Sequence, residues 1–499
     1  MSVTAGVNDE DRLMENFVLD ALLPNAEIPS ALGATFSDSW PGTSIPIDHT
    51  ELVSDPLSWH GSLEVSQRKR DRLLAEAKGV PELVGAWNFS NFPSCLRLER
   101  FLGGCFDCLL DYLPFTHAPT WQAENAPPCL LLSMAALGAE YYQEHRVAHI
   151  AGKSPGVSEH PTWVTQSILI ITTYGMRSGE FGKFQEALSW ASLLANIVRG
   201  NRGARNPGRD GEEVRKIWAR WIEHEIILRT KWAAYTSLGL LTICFNIPPL
   251  LLANEMRDLP LPSDEADWTS RTPEIWAKVR TGQCRDEPRF KEALESLLPH
   301  SVRPCGTVSG FGSYVLLHSI QQNLWTLRQN IWLEAEHFAS CLKTVSQALG
   351  KWEAAWEGNL ESSLPSCRPH NATTTISAAL LSLAYMWCGA GFSPVRAAIL
   401  SHNAGRISQS MEHLHIPIER VEAASNIAAH ALRSLKSRVK LGMALEVPQV
   451  GCCQSLEAFI FSVECCLFSC VWLKKTQVAT SLTGPSMSDR HSNWPKRFC

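Results

Sequence analysis

No cysteine occurs in the first 90 residues, although 16 follow. That gap excludes from this stretch any zinc module built on closely spaced cysteines. A binuclear cluster needs six thiolates in two triplets, and a finger needs a Cys pair followed by a His pair. Basic residues are equally scarce there: residues 1–65 hold eleven Asp or Glu and a single Arg. A net charge of −5 over 499 residues excludes a whole-surface electrostatic grip on nucleic acid or anionic membrane. Long apolar runs are missing too. The longest, Leu238–Ala253, contains Asn246 and is broken by Pro248-Pro249, short of a membrane span. The opening MSVTAGVNDEDRLMENF has no positive start followed by an apolar run, so no secretory signal is read. The cysteines are then expected as reduced, mostly buried thiols, and the sequons at Asn88 and Asn371 carry no weight.

Catalytic and metal-binding constellations are equally thin. Cys105-x-x-Cys108 has the inner spacing of a zinc pair, but no second pair follows, His117 and His145 stand alone, and the helix around it is apolar. Cys452-Cys453, Cys465-Cys466 and Cys470 sit among Phe, Leu and Val and read as core thiols. His224-Glu225 lacks the second His of a zinc-protease helix, because Leu228 stands there. His413 and His415 would face different sides of a helix and, close to Pro417, read as loop residues. Asp264-Glu265 and Asp267 follow Pro260 and Pro262 in a turn with no second acidic cluster, so a solvated loop is expected. Gly306–Gly312 precedes a helix without a strand before it or a Walker lysine, and reads as a turn with Ser313 capping the helix. Arg199, Arg202, Arg205 and Arg209 form a basic loop without aromatic stacking partners, expected as an exposed connection. No zinc-ligand set or other cofactor site is read, and no catalytic residue is assigned.

What remains is a helical chain rich in tryptophan, with 18 of them, 45% hydrophobic and 19% charged residues. Residues 1–65 interleave acids with the apolar clusters Met14–Leu23 and Phe36–Trp40, the composition of a disordered, amphipathic activation segment or of a plain acidic extension. Residues 66–91 hold a basic helix and linker, where Arg68-Lys69-Arg70 and Arg72 make a candidate nuclear-import signal or a solvated helix face. From residue 92 to 475 the pattern is helical, with Pro/Gly/Ser loops and no series of alternating strands. In the Val214–Trp232 helix, Val214, Ile217, Trp218, Trp221 and Ile222 form one apolar stripe. Glu225 follows on the same side, with Arg229 one turn later to pair with it. Residues 476–499 form an irregular polar tail.

Phe101–Gly152 is the most specific stretch. An apolar helix ends in a corner where Pro114 and Pro119, which cannot sit inside a helix, bracket Phe115, His117 and Trp121. After Pro127-Pro128, Leu130, Leu131, Met134, Leu137, Gly138 and Tyr141 recur at helical spacing, and Ala135, Ala136 and Ala139 let a neighbouring helix approach. This order of residues resembles the opening of the fungal-specific transcription factor domain, the middle homology region of fungal zinc-cluster and some zinc-finger regulators. Trp221, Glu225, Arg229 and Trp232 look like that family's Trp…Glu-x-x-x-Arg-x-x-Trp helix. Pro248-Pro249, then Leu259-Pro260-Leu261-Pro262 through Trp268, are similar to the turn that follows it. Gly310–His318, Trp325, Trp352, Trp356, Ala429–Leu432 and Glu464 to Trp472 continue the likeness, which covers roughly residues 95–475. The chain departs from the pattern at Gly239, where the family usually carries an acid, and in having no zinc module.

The resemblance implies an all-α fold: a large multi-helix regulatory domain with a flexible acidic N-terminal extension. It implies a nuclear transcriptional regulator that controls pathway-specific metabolic genes, not an enzyme. DNA would be reached indirectly, through a partner factor or through a zinc module encoded upstream of this chain. The transcription machinery, a homo- or heterodimer and a small-molecule effector are the other expected partners, and no membrane is. The readings from other classes are an all-helical metabolic enzyme, which would require a paired acidic or nucleophilic constellation, and a cytoplasmic scaffold.

Overall fold

The computed structural model describes residues 61–79, 89–110, 113–141, 161–178, 180–200, 213–281, 287–301, 308–359, 372–389, 391, 393–400, 403–413, 460, 463–468 and 471. The acidic segment up to residue 60, His145, Arg202–Arg209, His415, Ala429–Leu432, Cys452-Cys453, Cys470, Trp472 and the tail lie outside them. Every element of the described residues is helical, with only isolated bridges between Ser62 and Gln122 and between Pro260 and Arg289. The fold is all-α, and no described helix is long and apolar enough to cross a membrane.

Helices α1 (Gln67–Lys78), α2 (Cys95–Cys108) and α3 (Pro128–Tyr141) surround the proline corner. Then come α4 (Thr162–Arg177), α5 (Phe181–Gly200) and the long α6 (Val214–Phe245). The short α7 (Glu265–Trp268), α8 (Pro273–Thr281) and α9 (Phe290–Ser296) lead to α10 (Gly310–Gln329) and α11 (Ala335–Glu357). The described chain closes with α12 (Ala372–Gly389), α13 (Ser393–Leu400) and α14 (Ala404–Glu412). α2 packs on α3, α4 on α5, and α10 on both α11 and α12, while α6 touches α4, α5, α8, α10 and α13. From Leu228 to Leu238 every residue of α6 is buried, including Lys231 and Thr236. A helix covered on all sides is the axis of the fold rather than a surface element.

Local chemistry sets the helix ends. Ser66, Ser94 and Asn403 cap α1, α2 and α14 with their side chains, each satisfying a backbone N–H that the first turn leaves unpaired. Ser309, not Ser313, caps α10: its Oγ accepts from the Gly312 N–H at 3.0 Å, while Ser313 lies buried inside the helix. α6 stops at Asn246, whose left-handed backbone (φ 56°) returns the chain's N–H groups to the last carbonyls before Pro248-Pro249. His413 ends α14 as its C-cap, with Nδ1 2.7 Å from the Gln409 carbonyl.

Gly138 has a definite task. A Cβ there would stand 1.7 Å from the Phe101 carbonyl oxygen, so α2 and α3 cross backbone to backbone. The small residues read in α3 serve that contact. The basic helix read over residues 66–78 forms as α1 and packs on the corner. Leu73 and Ala77 join the main core with Phe101, Cys105 and Phe115.

Candidate functional site

The proline corner is built from the backbone up. Phe115 is wholly buried, Pro114 and His117 are buried, and Pro119 is the second residue of a 3-10 turn over Ala118–Thr120, where its missing N–H would have no partner within the turn anyway. Trp121 is half-buried and meets Phe106 edge-on at 5.0 Å. The corner docks on α4 and α6 through Gln166, whose Nε2 donates to the Phe115 carbonyl and to Thr230 Oγ1, both at 3.2 Å.

His117 projects from the corner into a tryptophan cluster. Its ring stands edge-on to Trp268 at 4.9 Å and to Trp218 at 6.0 Å. Nδ1 lies 2.7 Å from Thr120 Oγ1, while Nε2 makes no hydrogen bond of normal geometry. Burial, and then the neighbouring Arg229 guanidinium, push its pKa down to about 4 against the opposing pull of the Trp268 backbone. The imidazole is therefore neutral at physiological pH.

Beneath it lies the charged centre. Arg229 Nε donates to Glu225 Oε1 at 2.7 Å and Nη2 donates to the Ser263 carbonyl at 2.7 Å. The same Glu225 oxygen accepts from the Ser263 N–H at 2.9 Å. The guanidinium stacks 4.2 Å from the Trp268 ring centre and 5.9 Å from that of Phe311. Trp232, also fully buried, donates from Nε1 to the Pro260 carbonyl at 2.9 Å, so α6 fastens the Leu259–Trp268 turn at three points. A second arginine, Arg280, lies over Trp221 and Trp276 and pairs with Asp267 at 3.2 Å and with Glu287. Asp267 is thus no solvated loop acid. Burial raises both its pKa and that of Glu287, against the pull of Arg280.

The basic run of α1 does not form a solvated patch. Lys69 is buried, and its ammonium donates to the carbonyls of Glu124 at 2.8 Å and Ala126 at 2.7 Å. Arg70 donates to the Pro93 carbonyl at 2.8 Å. Arg68 is exposed, and Arg72 pairs with Glu76 at 3.2 Å. Arg199, at the end of α5, pairs with Glu255 at 2.5 Å rather than standing free in a basic loop.

The corner's charges and rings are largely engaged with one another, which makes it a structural hub. Among the described residues no three His, Cys, Asp or Glu gather to hold a metal. Cys105 is fully buried and burial raises its thiol pKa far above the usual range.

A feature invisible in the sequence lies further along α6. His318 and Gln321 of α10 and Thr242 of α6 are all but wholly buried, and none of their side-chain nitrogens or oxygens finds a hydrogen-bond partner. Each such group costs on the order of 1–3 kcal/mol when left unpaired. The departure at Gly239 has its explanation here: a Cβ at that position would lie 2.8 Å from His318 Nδ1. The imidazole occupies the space that a side chain at 239 would fill.

The C-terminal part is bolted to the same axis. Arg396 of α13 donates to the Ile243 carbonyl of α6, lies 4.2 Å from the Trp387 ring centre and is 3.4 Å from Glu464. Trp387 Nε1 donates to Glu464 at 2.8 Å, and Arg328 Nε to the Trp387 carbonyl at 2.8 Å.

The described residues thus form an all-helical body tied together by a Trp–Arg–Glu hub. Residues 105–354 match the fungal specific transcription factor domain, and residues 391–493 match the fungal transcription factor C-terminal domain. The chain belongs to the fungal-specific transcription factor domain family, whose members are transcriptional regulators. A curated relative, the zinc finger protein zas1 of Schizosaccharomyces pombe, is 21% identical over 266 residues, 48% of this chain and 28% of that protein. The chain thus spans under a third of the relative it matches. No solved structure matches it significantly.

Proposed function

We propose that this chain is the regulatory part of a nuclear factor that controls a set of metabolic genes, and that it catalyses no reaction. The observation that supports this most is the pair of family matches, which together take in both the corner and the Arg396–Glu464 junction. In this reading the helical body is an interaction platform. It reaches DNA through a bound partner factor or through a zinc module outside this chain, and it contacts the transcription machinery directly or as a dimer. The acidic residues 1–65 supply the activating surface, and a small-molecule effector sets how far the helical body restrains them.

Two experiments test it. A transcript profile of the host with the gene deleted should show coordinated loss of a set of mRNAs; unchanged transcripts with one metabolite missing would instead favour an enzyme. Tethered to DNA, the full chain should drive a reporter differently from a chain lacking residues 92–475. Equal output would remove the restraint from the proposal, and strictly non-nuclear protein would favour a cytoplasmic scaffold.

A further inference from the structure

α6 and α10 run side by side in the same direction. Arg229 meets Phe311 at 5.9 Å, Tyr235 OH lies 3.0 Å from Ser319 Oγ, and Trp325 Nε1 donates to Asn246 Oδ1 at 2.8 Å. On α6, between Tyr235 and Asn246, Gly239 faces His318, which directly precedes Ser319 on α10. One turn further on, Thr242 follows Gly239 on the same side of α6 and Gln321 follows His318 on the same side of α10, because residues three apart are neighbours on a helix surface. These groups are polar, and the Tyr235–Ser319 and Asn246–Trp325 hydrogen bonds tie α6 to α10 beside them.

From this geometry we propose that the His318–Gln321–Thr242 layer is a binding site for a small uncharged molecule that presents adjoining hydrogen-bond donor and acceptor groups, as a primary carboxamide does. The complement follows from the side chains. A neutral imidazole offers one donor and one acceptor, an amide both, and a hydroxyl both, and none of the three carries a charge. A carboxylate or an ammonium entering the layer would meet no opposite charge among these groups, and its desolvation would oppose binding. An apolar molecule would leave every one of them unpaired. Gly239 gives the imidazole its place beside α6 without a side chain in the way. The site's role as the effector seat rests on the regulatory reading above, whereas the binding itself does not.

The test uses the full chain with ¹³C-labelled histidine, reading the His318 ring signal (assigned with His318→Asn) against acetamide, acetate and acetone. These probes share a size and differ in charge and in donors. The expected result is a saturable shift with acetamide, with at least about tenfold weaker response to acetate and acetone. Thr242→Val, which keeps shape and removes the hydroxyl, should weaken acetamide at least about threefold, and Gln321→Leu at least about tenfold, as expected for lost neutral hydrogen bonds. No saturation with acetamide, an equal response to acetate, or an unchanged curve in both variants overturns the proposal. Because no gene expression enters this measurement, its failure leaves the regulator standing, and a failed reporter assay leaves the site standing.

Discussion

The guanidinium of Arg229 is pressed between the Glu225 carboxylate, 2.7 Å away, and the Trp268 ring, whose centre lies at 4.2 Å. The contact joins α6 to a turn that comes more than thirty residues later and decides where the tryptophan cluster sits.

Breaking this contact from one side leaves a buried carboxylate unpaired. Arg229→Ala is expected to cost about 3–5 kcal/mol, read by urea denaturation. Arg229→Lys should recover only part of that, since an ammonium can neither form the two-pronged contact nor stack on indole.

The corner has a graded core. Phe115→Ala removes a fully buried ring and should cost roughly 3–5 kcal/mol. Trp121→Ala, at a ring still half open to solvent, should cost about half as much or less by area. Equal losses in the two variants would mean that the corner is buried more deeply on that side.

Gly138→Ala should be among the most damaging single-methyl additions to the protein. The added carbon collides with backbone, not with a pliable side chain, so α2 and α3 must move apart. A loss of at least about 3 kcal/mol is expected, while Gly182→Ala, which meets nothing within 4 Å, serves as the tolerant control.

Acid should weaken the fold through its buried imidazoles. Both start from an ordinary pKa of 6.5, and burial lowers His117 to about 4 and His318 to about 3. Below pH 6.5 the unfolded chain therefore binds protons that the native one refuses, so stability falls as pH drops through this window and returns as pH rises. Asp267, Glu287 and Glu464, raised by burial, act with the opposite sign. Comparison of the wild type with His318→Gln isolates one group. The variant's stability profile between pH 6.5 and 4 should be shallower, by up to about 1.4 kcal/mol per pH unit. Parallel profiles would place His318 in contact with solvent.

Much of the fold was legible where the pattern is local. The apolar stripe beginning at Val214 announces α6, and the Glu225 to Arg229 spacing announces their pairing. That this pair is wholly buried was not legible, because its cover, Ser263 and Trp268, arrives from distant sequence. Lys69 reads as a surface cation because its acceptors are main-chain carbonyls, which leave no trace in residue identity. Asp267 reads as a loop acid for a similar reason, since Arg280 comes from the next helix. The α6–α10 layer left a single clue, the glycine at 239 where the family usually carries an acid. Nothing local connects it to His318.

The Arg396–Glu464 junction also bears on how the protein is made. Ile243 and Glu464 are 221 residues apart (464 − 243), and ribosomes add roughly 5–20 residues per second. For some tens of seconds after α6 has emerged, the Trp387 and Arg396 side of the core has no carboxylate to close against until Glu464 is made. Until then the Ile243 end of α6 lacks the finished cover that Arg396 gives it, so newly made protein offers apolar surface that the mature fold hides.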